Sequence, residues 1–332
     1  MITVHKQKQG GKCETIDLSQ ISSWDKKSDE TIWVDLWNTP NSEIESILNE
    51  KFGLHELNIE DVLRYNESKE NVQLPKIDDF GEYLFLIFNG FTVKGKTYNV
   101  FSLNAFVGNN FIITIHNEEG TNFVVSSVDT YQKDTLLTKG PDYILHLILD
   151  HLVDNYYPML EILDEKIDTI ENNVFEKDSS KKTLQTILKF KRELLYIRRI
   201  STYQKEILFK AYRGDFEVID KKESMYYRNV YDHLVRVADT TESYRDVVTG
   251  LLDSYLSIVN NKMNEIMKIL TVIATIILPL NLITGIFGMN FSKNFPLLDN
   301  EYGFWISMGI MLMISLVMLN FFRKKGWLSK DN

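Results

Sequence analysis

Ile269-Leu270-Thr271-Val272-Ile273-Ala274-Thr275-Ile276-Ile277-Leu278-Pro279-Leu280-Asn281-Leu282-Ile283-Thr284-Gly285-Ile286-Phe287 is a run of 19 residues without a charge, and it leads directly into Gly288-Met289-Asn290. A second uncharged run extends from Tyr302 to Phe322. Each is about long enough to cross a hydrocarbon layer ~30 Å thick at ~1.5 Å per residue. Soluble core helices rarely run so long without a charge, so the pair reads as two membrane spans. The flanks set the topology. Lys262 and Lys268 precede the first span, Arg323-Lys324-Lys325 follow the second, and the loop between carries Lys293, Asp299 and Glu301. Basic residues mark the cytoplasmic side. Both termini are therefore expected in the cytoplasm and the loop outside, in a multi-pass protein of the cell (inner) membrane. Trp305 and Trp327 stand where interfacial aromatics belong.

The rest of the chain is ordinary in composition. Its 332 residues carry a net charge of −9, which argues against a nucleic-acid partner and suits a surface that meets cations. Cys13 is the sole cysteine, so neither an intrachain disulfide nor a cysteine-built zinc site is expected. The polar N-terminus lacks the apolar core of a signal peptide, which predicts a cytosolic place for the first ~260 residues. Gly10-Gly11-Lys12 lacks the spacing of a phosphate-binding loop. His5, His55, His116, His146, His151 and His233 are scattered, with no metal-protease spacing, and read as structural. No catalytic residue and no organic cofactor is assigned. The basic stretch of Lys189, Lys191, Arg192, Arg198 and Arg199 reads as a solvated helix face.

Short aromatic and β-branched runs at 31–36 and 83–88 read as buried strands. Gly108-Asn109-Asn110 is a hairpin turn between runs at 101–107 and 111–116, with helical patterns at 42–51 and 55–64. Residues 1–140 are thus an α/β domain. Residues 141–221 are an antiparallel helical pair, 142–175 and 180–213, broken at Glu176-Lys177-Asp178. Asp220-x-x-Glu223 resembles a capping box that starts a long helix over 222–288, roughly 100 Å in length. Only its last part, about 268–288, fits in lipid. The remainder is a stalk that a lone helix cannot stabilise, so an oligomer is expected. An extracytoplasmic loop at 289–302, a second span at 303–323 and a basic cytosolic tail at 324–332 complete the chain. The fold class is α+β membrane protein.

On the long helix Asp232, Asp239, Asp246 and Asp253 recur every seven residues, a repeat that keeps one face of a helix against its neighbours. Carboxylates facing inward would repel unless divalent cations neutralised them. A solvated outer face explains the same spacing. The face continues into the span as Asn264, Met267, Thr271, Ala274, Leu278, Asn281, Gly285 and Gly288, in alternating steps of three and four. Amides and small residues collect there while the other faces are rich in Ile and Leu. Polar groups in lipid usually face a cavity, which favours a water-filled pore. Pro279 frees the carbonyl of Thr275, tolerable where it faces water.

Gly288-Met289-Asn290, closing a first span and followed by a short loop, a second span and a basic tail, resembles the CorA family of magnesium and cobalt transport proteins. The similarity includes Trp33-Val34-Asp35-Leu36, Ile59-Glu60-Asp61-Val62-Leu63, Leu74-Pro75-Lys76, Tyr231-Asp232-His233, Gly250-Leu251-Leu252-Asp253, Asn261-Lys262-Met263-Asn264-Glu265 and Lys325-Gly326-Trp327-Leu328. The resemblance implies a homopentameric funnel in membrane lipid that takes up Mg²⁺ passively, with Co²⁺ or Ni²⁺ as surrogates. It places a selectivity filter at Gly288, Met289 and Asn290 and permeation-critical positions at Asn264, Met267, Leu270 and Leu278, where spacing alone prefers Thr271 to Leu270. It further implies cytosolic regulatory Mg²⁺ sites that hold the channel closed. Asn229 stands where family members carry an acid, and Asn281 replaces a pore-facing hydroxyl. Asp299 and Glu301 are expected at the outer mouth and Arg323, Lys324 and Lys325 as a basic collar at the inner one. A zinc transporter of the same superfamily would share this architecture but use a proton gradient, and a membrane-anchored oligomeric scaffold would need no polar seam.

Overall fold

Near-continuous runs of buried residues in the N-terminal half build the central strands of a sheet, two short helices lie among those strands, and the chain after Pro141 is helical. The computed structural model describes residues 1–8, 11–26, 28–67, 72–117, 124, 137–176, 181–289 and 301–328. The chain divides into two compact units, Met1–Leu251 and Leu252–Asn332.

The first unit carries a seven-stranded sheet of order β2-β1-β3-β7-β6-β5-β4. Its strands are β1 (Ile2–Lys8), β2 (Glu14–Ile16), β3 (Glu30–Trp37), β4 (Lys76–Asp79), β5 (Tyr83–Lys94), β6 (Thr97–Gly108) and β7 (Phe111–His116). All pairings are antiparallel except β3 with β7, where Val34 lies opposite Ile113. The strands read from aromatic runs are present, and the turn after Gly108 joins β6 to β7. The sequence reading assigned no strand to β1, β2 or β4. β2 and β4 are edge strands of three and four residues, too short to display a period.

Helices cover both faces. α1 (Asn41–Glu45), continued by a π-helical turn at Ser46–Lys51, and α2 (Glu56–Glu67) place Ile44, Leu48, Ile59 and Val62 against Phe85, Ile87, Phe106 and Ile113. On the other face α3 (Pro141–Asp154) presses so closely on β5 that a Cβ at Gly90 would lie 2.7 Å from Leu152 and 2.5 Å from Phe101. Glycine is required there by space alone.

The expected helix over 142–175 is in fact two, α3 and α4 (Tyr156–Phe175). Pro158 supplies the reason, because its ring cannot pack behind the carbonyl of Asp154 in a continuous helix. Asn155 completes the break by donating its side-chain amide to the His151 carbonyl at 2.8 Å. α5 (Lys181–Arg213) returns along the unit, tied by Arg198 to Glu242 at 2.6 Å and by Phe209 against Tyr231. Both partners lie on α6 (Ser224–Phe287), one helix of 64 residues that begins in the first unit and ends in the second.

The capping box read at Asp220 is corrected. Asp220 Oδ1 does accept from the Lys222 amide at 2.9 Å, but its own N–H donates to Asp142 Oδ2 of α3 at 3.0 Å, and Glu223 Oε2 has no hydrogen-bond partner. The reciprocal bond comes from another helix, where local sequence could not reveal it.

The second unit holds the end of α6 and α7 (Gly303–Lys324), the two helices long and apolar enough to cross a membrane. Almost nothing in them is covered by the chain itself: Leu278 is 67 % exposed and Leu270 65 %. Such surface is unstable in water, so lipid or further protein must cover it.

Candidate functional site

Every described residue of the expected seam lies on the surface of α6. Asn264, Met267, Leu270, Thr271, Leu278, Asn281, Gly285 and Gly288 are all exposed within the single chain. Thr271 donates its hydroxyl to the Met267 carbonyl at 2.7 Å, and Thr275 donates to the Thr271 carbonyl at 2.6 Å. These bonds satisfy the hydroxyls inside the helix and let them sit in an apolar segment. Pro279 is accommodated without ending the helix. α6 closes through Gly288 N–H to Thr284 O at 2.9 Å and Met289 N–H to Ile286 O at 3.3 Å. A Cβ on Gly288 would stand 3.1 Å from the Thr284 carbonyl, whereas one on Gly285 would meet open space. Gly288 is therefore constrained by its own helix end, and Gly285 by nothing in this chain. Asn290, Lys293 and Asp299 lie outside the described residues. Glu301 is exposed, as are Arg323, Lys324 and Lys325 at the end of α7, where cations oppose the negative end of the helix dipole.

In the first unit Tyr227, Val230, Leu234, Val237, Thr241 and Val248 of α6 turn inward and are buried. Asp232, Asp239, Asp246 and Asp253 follow the opposite, exposed face, and Asn229 shares it. Successive acids are about 10 Å apart along the axis, too far for one chain to chelate an ion between two of them. Arg228 lies 3.9 Å from Asp232, and Arg245 donates to Asp246 at 2.8 Å. Two acids of α2 are also partnered, Glu60 by Arg64 and Asp61 by Lys76 at 2.6 Å. Burial opposes the Lys76 charge, but hydrogen bonds to Asp61 and Asp78 outweigh it and raise its pKa.

The structure brings together a different group. Asp150 and Asp154 of α3 and His233 of α6 each present one ligand atom, all within 4.8 Å of one another. His233 Nδ1 lies 3.5 Å from Asp154 Oδ1, and Asp150 Oδ1 is buried with no hydrogen-bond partner. Burial pushes the Asp150 carboxyl up, repulsion from Asp154 adds to this, and His233 and His151 offset part of it. A divalent cation would supply the missing counter-charge. Two carboxylates and one imidazole form a donor set able to take Mg²⁺ through oxygen and Co²⁺ or Ni²⁺ also through nitrogen. The i, i+4 aspartates were visible in the sequence as neighbours on one helix face. Their third member, 79 residues further on, emerges only from packing.

A sheet-based domain and two largely uncovered apolar helices at its C-terminal end, the first of them the last part of a 64-residue helix, define the class, a membrane protein with a large polar domain. A family model described as "CorA-like Mg2+ transporter protein" matches residues 28–324, and the chain belongs to that family. It is 35 % identical over 318 residues to the cobalt/magnesium transport protein CorA of Thermotoga maritima, covering 95 % of this chain and 88 % of the relative. It is 26 % identical over 330 residues to the protein of that name from Methanocaldococcus jannaschii, covering 99 % of this chain and all of the relative. The solved complete CorA structure from the latter organism has the same fold, with a TM-score of 0.79 at 23 % identity and 99 % of both chains covered.

Proposed function

We propose that the chain is a channel for Mg²⁺, also accepting Co²⁺ and Ni²⁺, which lets the ion run passively down its gradient through an axial pore. Five copies would each contribute one α6. The observation that carries this reading is the seam of small and polar residues, exposed within the single chain, on an otherwise apolar helix. Gly288, Met289 and Asn290 form the filter, and Asn264, Met267, Leu270, Thr271, Leu278, Asn281 and Gly285 line the pore below it. Asp299 and Glu301 gather cations at the outer mouth, Arg323, Lys324 and Lys325 ring the inner one, and both termini are cytoplasmic. The domain limits follow the sequence reading, with residues 1–221 and the stalk in the cytosol.

Mg²⁺ surrenders its water reluctantly. A ring of neutral amide and carbonyl oxygens binds its hydration shell without stripping it, and so lets the ion leave. Cytosolic Mg²⁺ regulates the pore from the first unit. Among the described residues Asp150, Asp154 and His233 are the group able to hold it within a chain, and the acids Asp232, Asp239, Asp246 and Asp253 serve between chains. That the relatives from Thermotoga maritima and Methanocaldococcus jannaschii are cobalt/magnesium transport proteins favours those ions over zinc as cargo.

The test is Mg²⁺ flux into liposomes containing the wild-type protein or Asn290→Ala, with and without a pH gradient. Wild-type flux that ignores the pH gradient, and a folded, inserted but inactive variant, are expected. Normal flux through Asn290→Ala would remove the filter assignment, and flux driven by protons would remove the channel.

A further inference from the structure

The last helix ends in a built turn rather than a frayed tail. Gly326 takes a φ of 73°, the left-handed conformation that glycine adopts freely. The Gly326 N–H donates to the Arg323 carbonyl at 3.2 Å, and the Trp327 N–H reaches back to the Phe322 carbonyl at 3.0 Å. These two bonds are the pattern of a Schellman motif, and its usual apolar contact is present. The Trp327 ring stacks on Phe322 with centroids 5.4 Å apart and planes 30° apart. Phe322 is thereby buried at the end of a largely uncovered helix.

Between these two rings lie Arg323, Lys324 and Lys325, all exposed. None of the three forms an ion pair with a described residue. Lys325 lies over the Phe321 ring at 5.8 Å. The turn thus holds three unneutralised cations against an aromatic pair, directly beyond a helix apolar enough to span a bilayer. Aromatic rings of this kind settle at headgroup depth, and cations there meet lipid phosphates.

We propose that the turn over residues 321–327 is a binding site for the headgroup of an anionic phospholipid, with Arg323, Lys324 and Lys325 contacting the phosphate and Trp327 the acyl-glycerol boundary. It rests on the reading of α7 as a membrane span but not on the pore. Full-length protein purified from vesicles of equal phosphatidylglycerol and phosphatidylcholine is examined by native mass spectrometry for the lipid it retains. Phosphatidylglycerol should be enriched, and R323Q/K324Q/K325Q should erase the enrichment, by roughly fivefold per cation removed. The charge-matched variant K189Q/K191Q/R192Q should keep it. Trp327→Ala and Gly326→Ala, which retain every charge, should each reduce it, and they decide the matter alone if the triple variant does not insert. Unchanged enrichment in the triple variant overturns the site. Full enrichment in both Trp327→Ala and Gly326→Ala also overturns it, by reducing it to diffuse charge. Displacement of the lipid by excess inorganic phosphate overturns the lipid as ligand.

Discussion

His233 on α6 sets its Nδ1 3.5 Å from Asp154 Oδ1 on α3, beside an Asp150 carboxyl whose pKa burial has raised. The contact joins the helix that continues into the apolar unit to a helix lying on the sheet. Whatever occupies this spot therefore bears on how α6 is held at its base. Two acids so close, one of them partly buried, are costly without a counter-charge.

A divalent cation should supply that charge. Asp150→Asn and His233→Ala are each expected to raise the Co²⁺ concentration that protects the protein from limited proteolysis by at least about tenfold, the scale seen even for residues that merely support metal ligands. Asp154→Asn should do the same. If all three variants keep the wild-type midpoint, the group is only a contact between helices.

His146 gives the first unit an acid-sensitive element. Burial holds its pKa down at about 4, with Lys139 contributing, while its Nδ1 has no hydrogen-bond partner. The imidazole of an unfolded chain titrates near 6.5. Above that pH both states are neutral and the residue contributes no pH dependence. As pH falls from about 6.5 to about 4 only the unfolded chain gains the proton, so stability is lost with acidification, by at most about 3 kcal/mol. His146→Phe keeps a ring against Tyr226 and should flatten this loss. Urea unfolding of both proteins at pH 7 and pH 5 provides the comparison, and parallel losses would mean that other groups set the acid limit.

The parts of this molecule that could be read from sequence are those governed by local period. The apolar runs, the long helix, the central strands β3 and β5–β7 and the turn after Gly108 all declare themselves within a few residues. What was hidden depends on partners distant in the chain. β4 is a strand because β5 offers it an edge, Asp220 is capped by Asp142, and His233 meets Asp150 only once α6 lies on α3. The break at Asn155 is a different kind of miss, since Pro158 announced it. The seam and the acid stripe were legible as patterns on one helix, but the role proposed for them would depend on copies of the chain, which a period of seven suggests without specifying.

Met267 and Leu278 are expected to act as apolar constrictions that gate by dewetting. Both project from α6 with their side chains uncovered, 52 % and 67 % exposed. Replacing either with serine should raise the closed-state leak of Mg²⁺ into liposomes, because a hydroxyl holds water where a thioether or isobutyl group expels it. An unchanged leak in both variants would place the pore on another face of α6.

The acid stripe allows a test of regulation that does not depend on flux. Asp232, Asp239, Asp246 and Asp253 recur about 10 Å apart on an exposed face of α6. Within a chain Asp246 is held by Arg245 and Asp232 faces Arg228, so two of the four are already partly neutralised. In a parallel bundle like residues of neighbouring helices converge, and each copy adds an Asp239 and an Asp253 that form no ion pair with a described residue. Mg²⁺ bound among the converging carboxylates would favour the packed arrangement, and its loss would let the helices splay. A ligand shifts such an equilibrium only by its differential affinity for the two states, so several weak sites acting together are required. Asn229 stands on the same face without a charge, which leaves more of the effect to the four aspartates. Substituting all four with asparagine should raise the Mg²⁺ midpoint for protease protection beyond the change given by Asp150→Asn alone. It should also lower the total number of ions bound per chain. Equal midpoints in the wild type and the fourfold variant would make the stripe a solvated surface and leave Asp150, Asp154 and His233 as the sensor.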